Sequence, residues 1–363
     1  MMRSRLHIGK FAAIAIVALL NCISSGRVHA ADMNAALKEL AAAATQEGTL
    51  TLSWNGEVFG GSAGARLFEA GIAKAFGATI HINFVPGSDP ARIANQMLTE
   101  YQAGQKASVD ILLGSAAQMS PLSQRDFFLP VDWHQYMPDR VGPDEVEADN
   151  KIIRIGTTLS GFTYNNQLAP MKPTRLEDFL KPEWKGRIAS TPYAAGFDVL
   201  LSDDMWGVKR TLDYVTALSK QIAGLIRCGE NERLANGEYL AIVMDCSGQT
   251  TTLWQAKGAP LDYVLPPDAT SIRYYYFGLP KNIQHPNAAK LYTLFTMTEE
   301  GQKLVWQTWA MDLHKYPGSH TREQIAAFEK AGGKATEVTV AWWQKQAGID
   351  ENKGQLVKIL STK

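Results

Sequence analysis

The chain has 363 residues, 45% of them hydrophobic and 20% charged, with 36 basic side chains against 36 acidic ones. That is enough apolar material for two ordinary cores, and a balanced charge with no basic stripe argues against nucleic acid as a partner. Beyond the first thirty residues no run is long and apolar enough to span a bilayer.

At the start, Arg3, Arg5 and Lys10 precede an apolar run over 11–20, and Val28-His29-Ala30 places small residues at −3 and −1 of a cleavage site. This reads as a secretory signal peptide over 1–30, not a membrane anchor. The sequence "LLNC" around Cys22 puts Asn21 where a lipoprotein signal needs a small residue. Cleavage after Ala30 leaves 32 basic against 36 acidic residues, a net charge of −4. The expected product is a soluble, exported, monomeric protein.

Next come alternating elements. The alternating "TLTLSW" predicts a strand and 65–76 a helix; "TIHINFV" and "VDILLGS" are strands, followed by helices over 90–101 and about 116–125. This β-α-β-α-β opening implies a parallel sheet with helices on its faces. Its strand-to-helix loops, Gly60-Gly61-Ser62, Gly87-Ser88-Asp89 and Gly114-Ser115, fall at the carboxyl ends of the strands, where open α/β sheets bind ligands. A second α/β region follows. "IRIGTTLSGFTYNN" is extended, "RIAST" a short strand before the loop "PYAAGFD" and a helix from about 199. "LAIVMDC" is another strand, leading through "SGQTT" to a short helix. The end is helical: 286–295, a helix capped near Thr298 with Glu299 and Glu300 in its first turn, then 321–331 and 336–347. Two extended segments, about 154–165 and 264–280, read as paired crossovers between two lobes. Cys228 and Cys246 each end a strand-like run. Export permits a disulfide between them; the alternative is two buried thiols.

Four stretches carry a family resemblance: "LSWNGEVFGGSAG", "GFTYNNQLAPMKPTRLEDFLKPEWKGRIA", "LANGEYLAIVMD" and "GLPKNIQHPNAAKLYTLFTMTEEGQKLVWQ". In this order they resemble the type 2 periplasmic solute-binding proteins of ABC importers, in the branch that includes ferric-ion binders. The resemblance implies an α/β, two-lobed periplasmic-binding-protein fold, or Venus flytrap, with two hinge crossovers and a C-terminal helical segment. Lobe 1 is expected over 31–157 plus 274–310, and lobe 2 over 158–273 plus 311–363. It also implies a periplasmic location, a membrane permease as partner and no cofactor. The ferric binders carry two adjacent tyrosines after the strand equivalent to "LAIVMD". Here that place reads Asp245-Cys246-Ser247-Gly248-Gln249, so iron becomes the minority reading. Tyr274-Tyr275-Tyr276 lies instead on the return crossover.

Gly60-Gly61-Ser62-Ala63-Gly64 matches the hydrolase pattern G-x-S-x-G, between a strand and a helix. Only about thirty mature residues precede it, however, and no oxyanion loop lies among them. His81, His134, His285, His314 and His320 fit no triad context. The reading adopted is a binding loop in which Gly61 admits a close ligand and Ser62 caps the following helix. Gly114, Ser115, Tyr193, Ala194 and Gly196 repeat the geometry, while Gly87-Ser88-Asp89 reads as an ordinary turn. Trp54 and Asn55 at a strand end, Thr158 and Ser160 on the first crossover, Asp245 and Ser247 after a lobe 2 strand, and Arg273 and Tyr274 on the return complete the candidate cleft. Arg273 suits a carboxylate or phosphate, whereas Asp245 suits an amine; together they allow an anion or a zwitterion. No catalytic residue and no metal ligand is assigned. Trp306, Trp309, Trp342 and Trp343 fall at helical spacing and read as packing.

Overall fold

A computed structural model describes residues 33–361 apart from Ser88, Asp89 and Ser247. The expected signal peptide, the Ser88-Asp89 turn and the Ser247 site assignment therefore lie outside the described residues.

The strands in chain order are β1 (Thr49–Trp54), β2 (His81–Pro86), β3 (Leu112–Ser115), β4 (Val146–Glu147), β5 (Ile152–Leu159), β6 (Gly161–Asn165), β7 (Ile188–Ser190), β8 (Ile222–Leu225), β9 (Ala241–Asp245), β10 (Leu261–Val264), β11 (Ser271–Gly278) and β12 (Thr336–Val338). The helices are α1 (Ala35–Glu47), α2 (Gly61–Phe76), α3 (Pro90–Gln102), α4 (Ala116–Gln124), α5 (Phe197–Leu200), α6 (Gly207–Ser219), α7 (Asn231–Ala235), α8 (Thr251–Gln255), α9 (Pro286–Met297), α10 (Glu299–Trp309), α11 (His320–Lys330), α12 (Val340–Gln344) and α13 (Ala347–Ser361).

In the first lobe β1 and β2 run parallel, and a bridge from Leu52 to Ile111 sets β3 parallel beside β1. β3 then pairs antiparallel with the far half of β11, and β11 pairs along its length with β5. In the second lobe five strands lie in the order β10-β6-β9-β7-β8, with β7, β8 and β9 parallel. Each lobe thus aims the carboxyl ends of its parallel strands, and the loops that follow, toward the other.

Helices cover both sheets. In the first lobe Phe59, Phe68, Phe277, Tyr292, Phe295 and Trp309 form one aromatic core of tilted and edge-to-face pairs, the geometry that ring quadrupoles prefer. In the second, Phe162, Phe179 and Trp184 play that part. The C-terminal segment serves both lobes: α12 packs on α4, while α13 packs on α5 and α6.

Two expectations change here. The stretch 336–347 is not one helix. Thr336–Val338 is a strand, parallel to Ser271–Arg273 of β11, because β-branched Thr336 and Val338 suit the open flank that β3 leaves beside β11. Helix α2 also starts at Gly61, four residues earlier than expected, with Gly60 in the left-handed conformation as its N-cap.

Two of the passages between lobes, β5 to β6 and β10 to β11, cross at one point. Only Ser160 separates β5 from β6. Its amide donates to the Ser271 carbonyl (3.1 Å), its hydroxyl lies 2.6 Å from that of Ser271, and it accepts the Ser271 amide (2.8 Å). Ser160 is therefore part of the hinge, not of a ligand cleft. Buried Gln249 accepts the Leu159 amide (2.9 Å) and donates to Thr321 Oγ1 (3.1 Å), tying lobe 2 to the hinge strand and to α11.

The back of the β5–β11 ribbon holds a charge network. Arg154 donates to Glu147 (2.8 Å) and lies 4.2 Å over the Tyr274 ring. Tyr274 donates to Glu337, and Tyr276 to Glu147. His314 stacks on Tyr274, and its Nδ1 meets Thr157 Oγ1 at 3.0 Å. Burial, helped by the Lys315 cation, pushes the His314 imidazole down to about 4 from 6.5. Between those values the unfolded chain binds a proton that the folded chain refuses, so stability falls as pH drops from 6.5 toward 4. Urea unfolding at several pH values should show the native chain losing about 3 kcal/mol more over that window than a His314→Gln variant.

Candidate functional site

The cleft between the lobes is built from strand ends. From lobe 2 come the loop after β7, with Tyr193, Ala194 and Gly196, the loop after β8, with Cys228 and Glu230, and the end of β9, with Asp245 and Cys246. Cys228 and Cys246 are bonded, with Cα atoms 5.4 Å apart. The Cys228 amide donates to the Tyr193 hydroxyl (2.8 Å), so the disulfide also fixes that phenol. Thr158 on β5 donates to the Cys246 carbonyl (2.8 Å), joining these loops to the hinge.

The backbone in this region departs from ordinary geometry. Ala194 and Met244 sit at positive φ, 52° and 60°, a conformation that costs side-chain-bearing residues about 1–3 kcal/mol and collects at functional sites. Gly196, at φ 85°, lies where a Cβ would fall 2.7 Å from Met244 Cε.

The floor is the front face of the hinge ribbon. Arg273 pairs across the sheet with Thr158, and Tyr275 with Ser115. Strand alternation puts Arg273 and Tyr275 on this front face and Tyr274 on the back. Arg273 is 8% exposed, and its Nη1 lies 3.8 Å from Asp198 Oδ1. Nη1 is buried and has no hydrogen-bond partner among the described residues. Asp198 is itself buried and shared with Lys353 (3.2 Å) and the amides of Gly196 and Val199. Burial alone would raise the Asp198 carboxyl, but Lys353 and Arg273 outweigh it and hold it below the ordinary range.

Tyr275 packs on Trp309, with ring centres 4.6 Å apart. Burial raises the Tyr275 phenol, as does Asp245, against the pull of Arg273. Tyr193 is 40% exposed, and burial of its hydroxyl end raises it to about 12 despite the Cys228 amide. Tyr275 adds a smaller upward push on the Tyr193 phenol. On the lobe 1 rim Glu57 follows β1, and its carboxyl is raised by burial and then by Glu230 of the other lobe.

Several candidates serve other ends. Trp54 is core, 3% exposed, with its ring stacked on Phe277. Asn55 closes a turn by accepting the Glu57 amide (3.1 Å). The glycines of the motif serve the chain's own turn: a Cβ on Gly61 would lie 2.2 Å from the Gly56 carbonyl oxygen, and one on Gly64 1.7 Å from that of Phe59. Ser62 does not cap α2. Gly60 holds that position with no side-chain cap, and Ser62 is exposed in the first turn. Ser115, next to buried Gly114, caps α4 in a capping box with Gln118. Asp245 is fully buried, accepting Thr163 Oγ1 (2.7 Å) and the Gly229 amide (3.2 Å), so it braces the loops and does not face a ligand. Tyr274 is fully buried behind the ribbon.

Thr158, Tyr193, Ala194, Gly196, Arg273 and Ser115 lie on the strand ends and loops near the hinge, with Thr158, Ala194 and Gly196 buried there. The structure adds Tyr275, Glu57 and Glu230, which the sequence reading passed over. The alternation that follows Arg273 was the signal for Tyr275. The five histidines are engaged elsewhere: His81 with Glu69, His134 with the Val141 carbonyl, His285 with Asp110, His314 with Thr157 and His320 stacked on Trp306. Among the described residues no group of three or more His, Cys, Asp or Glu side chains is placed to hold a metal ion, and no helix is long and apolar enough to cross a membrane.

This architecture has relatives. The sequence profile described as bacterial extracellular solute-binding protein matches residues 68–336. The chain belongs to that family. A curated relative, the Fe(3+)-binding periplasmic protein of Serratia marcescens, is 28% identical over 144 residues, which is 38% of this chain and 41% of that protein. The chain therefore spans less than half of that relative's length. Among solved structures, the substrate-binding protein of an ABC transporter from Agrobacterium tumefaciens superposes with a TM-score of 0.69 at 17% identity, covering 86% of this chain and 94% of the other. The periplasmic binding protein AfuA of Actinobacillus pleuropneumoniae, with fructose-6-phosphate bound, gives 0.62 at 16%, covering 85% and 96%. At these identities the superpositions speak for the fold: two α/β lobes of the periplasmic-binding-protein type.

In this solute-binding protein the disulfide closes a loop between residues 18 apart. Replacing both cysteines by serine should lower unfolding stability by about 3 kcal/mol, and reducing the native protein should give the same shift in a urea titration.

Proposed function

We propose that this protein captures a small polar or anionic solute between its lobes in the periplasm and hands it to the membrane permease of an ABC importer, acting as a monomer and without catalysis. The observation that carries the reading is Arg273, nine-tenths buried, with Nη1 ion-paired to Asp198 at 3.8 Å but making no hydrogen bond among the described residues. A buried guanidinium with an unused donor is costly unless something accepts from it. A carboxylate or phosphate of the solute supplies that acceptor. Tyr193 and Tyr275 can donate to its remaining oxygens, whereas the Ser115 hydroxyl is already given to Gln118. The phenols suit this, because both are held protonated at neutral pH. Closure then follows from the solute's preference for the closed form, in which both lobes touch it. The family and the fold neighbours support transport over catalysis, as does the engagement of the five described histidines with other partners.

A second reading, a ferric-ion carrier, draws on the curated relative's name and on two phenols, Tyr193 and Tyr275, among the hinge-side residues. It is weakened by the same raised phenols, which resist becoming the anionic oxygens that Fe³⁺ requires.

Native mass spectrometry of the exported protein, purified without refolding, tests both. Expected is one bound organic acid or phosphate, absent from an Arg273→Gln variant that unfolds normally. A colourless protein that neither carries a solute nor takes one up from a small-molecule cell extract would overturn the proposal. Bound iron with a tyrosinate-to-metal absorption band would establish the second reading. A Ser62→Ala variant should bind like the native chain.

A further inference from the structure

The C-terminal helix reaches Arg273 through one buried carboxylate. Asp198 stands in the first turn of α5, its side chain 2% exposed. Its Oδ1 accepts the amides of Gly196 (3.1 Å) and Val199 (2.9 Å), which fills the two lone-pair positions of that oxygen. Its Oδ2 is held by Lys353 of α13 at 3.2 Å. Arg273 Nη1 stops 3.8 Å from Oδ1, near enough for an ion pair and too far for a hydrogen bond. The oxygen with room for a direct bond to Arg273 is the one that Lys353 occupies. Lys353 also breaks the pattern of its own helix. It falls at helical spacing with buried Ile349, Leu356 and Leu360, on the stripe of α13 that faces α5 and α6. A lysine at such a place needs a partner, and Asp198 is that partner. The three side chains carry one negative and two positive charges, so the group is net +1 beside the proposed solute site.

We propose that Lys353 is a positioning residue that sets the protein's affinity for its anion, by occupying Asp198 and so leaving Arg273 free to bind. This rests on the proposed capture of an anion by Arg273 and assigns the control of that site to the C-terminal helix. With Lys353 in place, Arg273 keeps both its charge and a donor for the solute. Without Lys353, Arg273 is the cation left beside Asp198 among the described residues. A buried carboxylate deprived of its ammonium is costly, so Oδ2 turns to the guanidinium. The pair is then neutral, and an incoming acid has to displace a carboxylate that is already bound. Neutralising Asp198 as well returns the group to +1. The two changes must therefore compensate each other, which no packing role of Lys353 requires.

The test pairs calorimetric titration with crystal structures, on the native protein, Lys353→Met, Asp198→Asn and the double variant. The probes are inorganic phosphate, sulfate and citrate. The tightest probe should bind Lys353→Met about tenfold more weakly than the native chain. It should bind Asp198→Asn as tightly or tighter, and the double variant within about threefold of native. In solute-free crystals of Lys353→Met, Arg273 should stand within about 3.2 Å of an Asp198 oxygen. A Lys353→Met protein that unfolds more easily yet binds the probe like the native chain, or a loss of affinity that Asp198→Asn does not repair, overturns the role of Lys353 and leaves anion capture standing. A probe that binds Arg273→Gln as tightly as the native chain overturns both. Where the native protein takes up none of the three probes, the crystals decide: a separation still near the native 3.8 Å in Lys353→Met overturns the proposal.

Discussion

Everything in this molecule turns on the crossing of two strand passages at Ser160 and Ser271. Their side chains and amides hold each other at 2.6–3.1 Å, and buried Gln249 secures the same point from lobe 2. The β5–β6 and β10–β11 passages run through that spot, and the C-terminal segment, from α12 on α4 to α13 on α5 and α6, ties the lobes a third time. Because the spot lies at the carboxyl ends of the parallel strands in both sheets, the loops best able to bind a ligand face one another.

The ribbon that forms the hinge is also the floor of the cleft, and its two faces divide the work. Behind it Arg154, Glu147, Glu337, Tyr274 and Tyr276 satisfy one another. A paired, buried network of this kind is rigid, and breaking it is expensive. In front, Arg273 keeps a donor unused. A stiff back and an unsatisfied front are what a hinge needs if its movement is to depend on an outside partner. The disulfide extends this logic into lobe 2 by fixing the loops that carry Tyr193 and Glu230.

Much of the fold could be read in the sequence. The alternation in "TLTLSW" returned as alternating burial in β1, and the capping pattern Thr298-Glu299-Glu300 as the start of α10. The helix α1 passed unread, although Asn34 as N-cap and Leu37, Leu40, Ala41 and Ala44 at helical spacing were present. α13 was missed for a different reason: its buried residues Ile349, Leu356 and Leu360 are sparse. The site was less legible. Asp245 is engaged by the hydroxyl of Thr163, 82 residues away, a partner no local pattern announces. A single-residue step decides which of Tyr274 and Tyr275 faces the cleft. The glycine motif suggested a ligand at the backbone, whereas its glycines make room for the chain's own carbonyls.

The central claim is that a solute draws the lobes together. The two cysteines of the mature chain are bonded to each other, so cysteines introduced at Leu67 and Leu168, both about half exposed and in different lobes, can be spin-labelled selectively. Pulsed electron-spin distance measurement would compare the solute-free protein with protein incubated in the small-molecule fraction of a cell extract. The account predicts a shift of the distance distribution to a second, narrower population that is lost in Arg273→Gln. An unchanged distribution in protein that mass spectrometry shows to have bound its solute would contradict it.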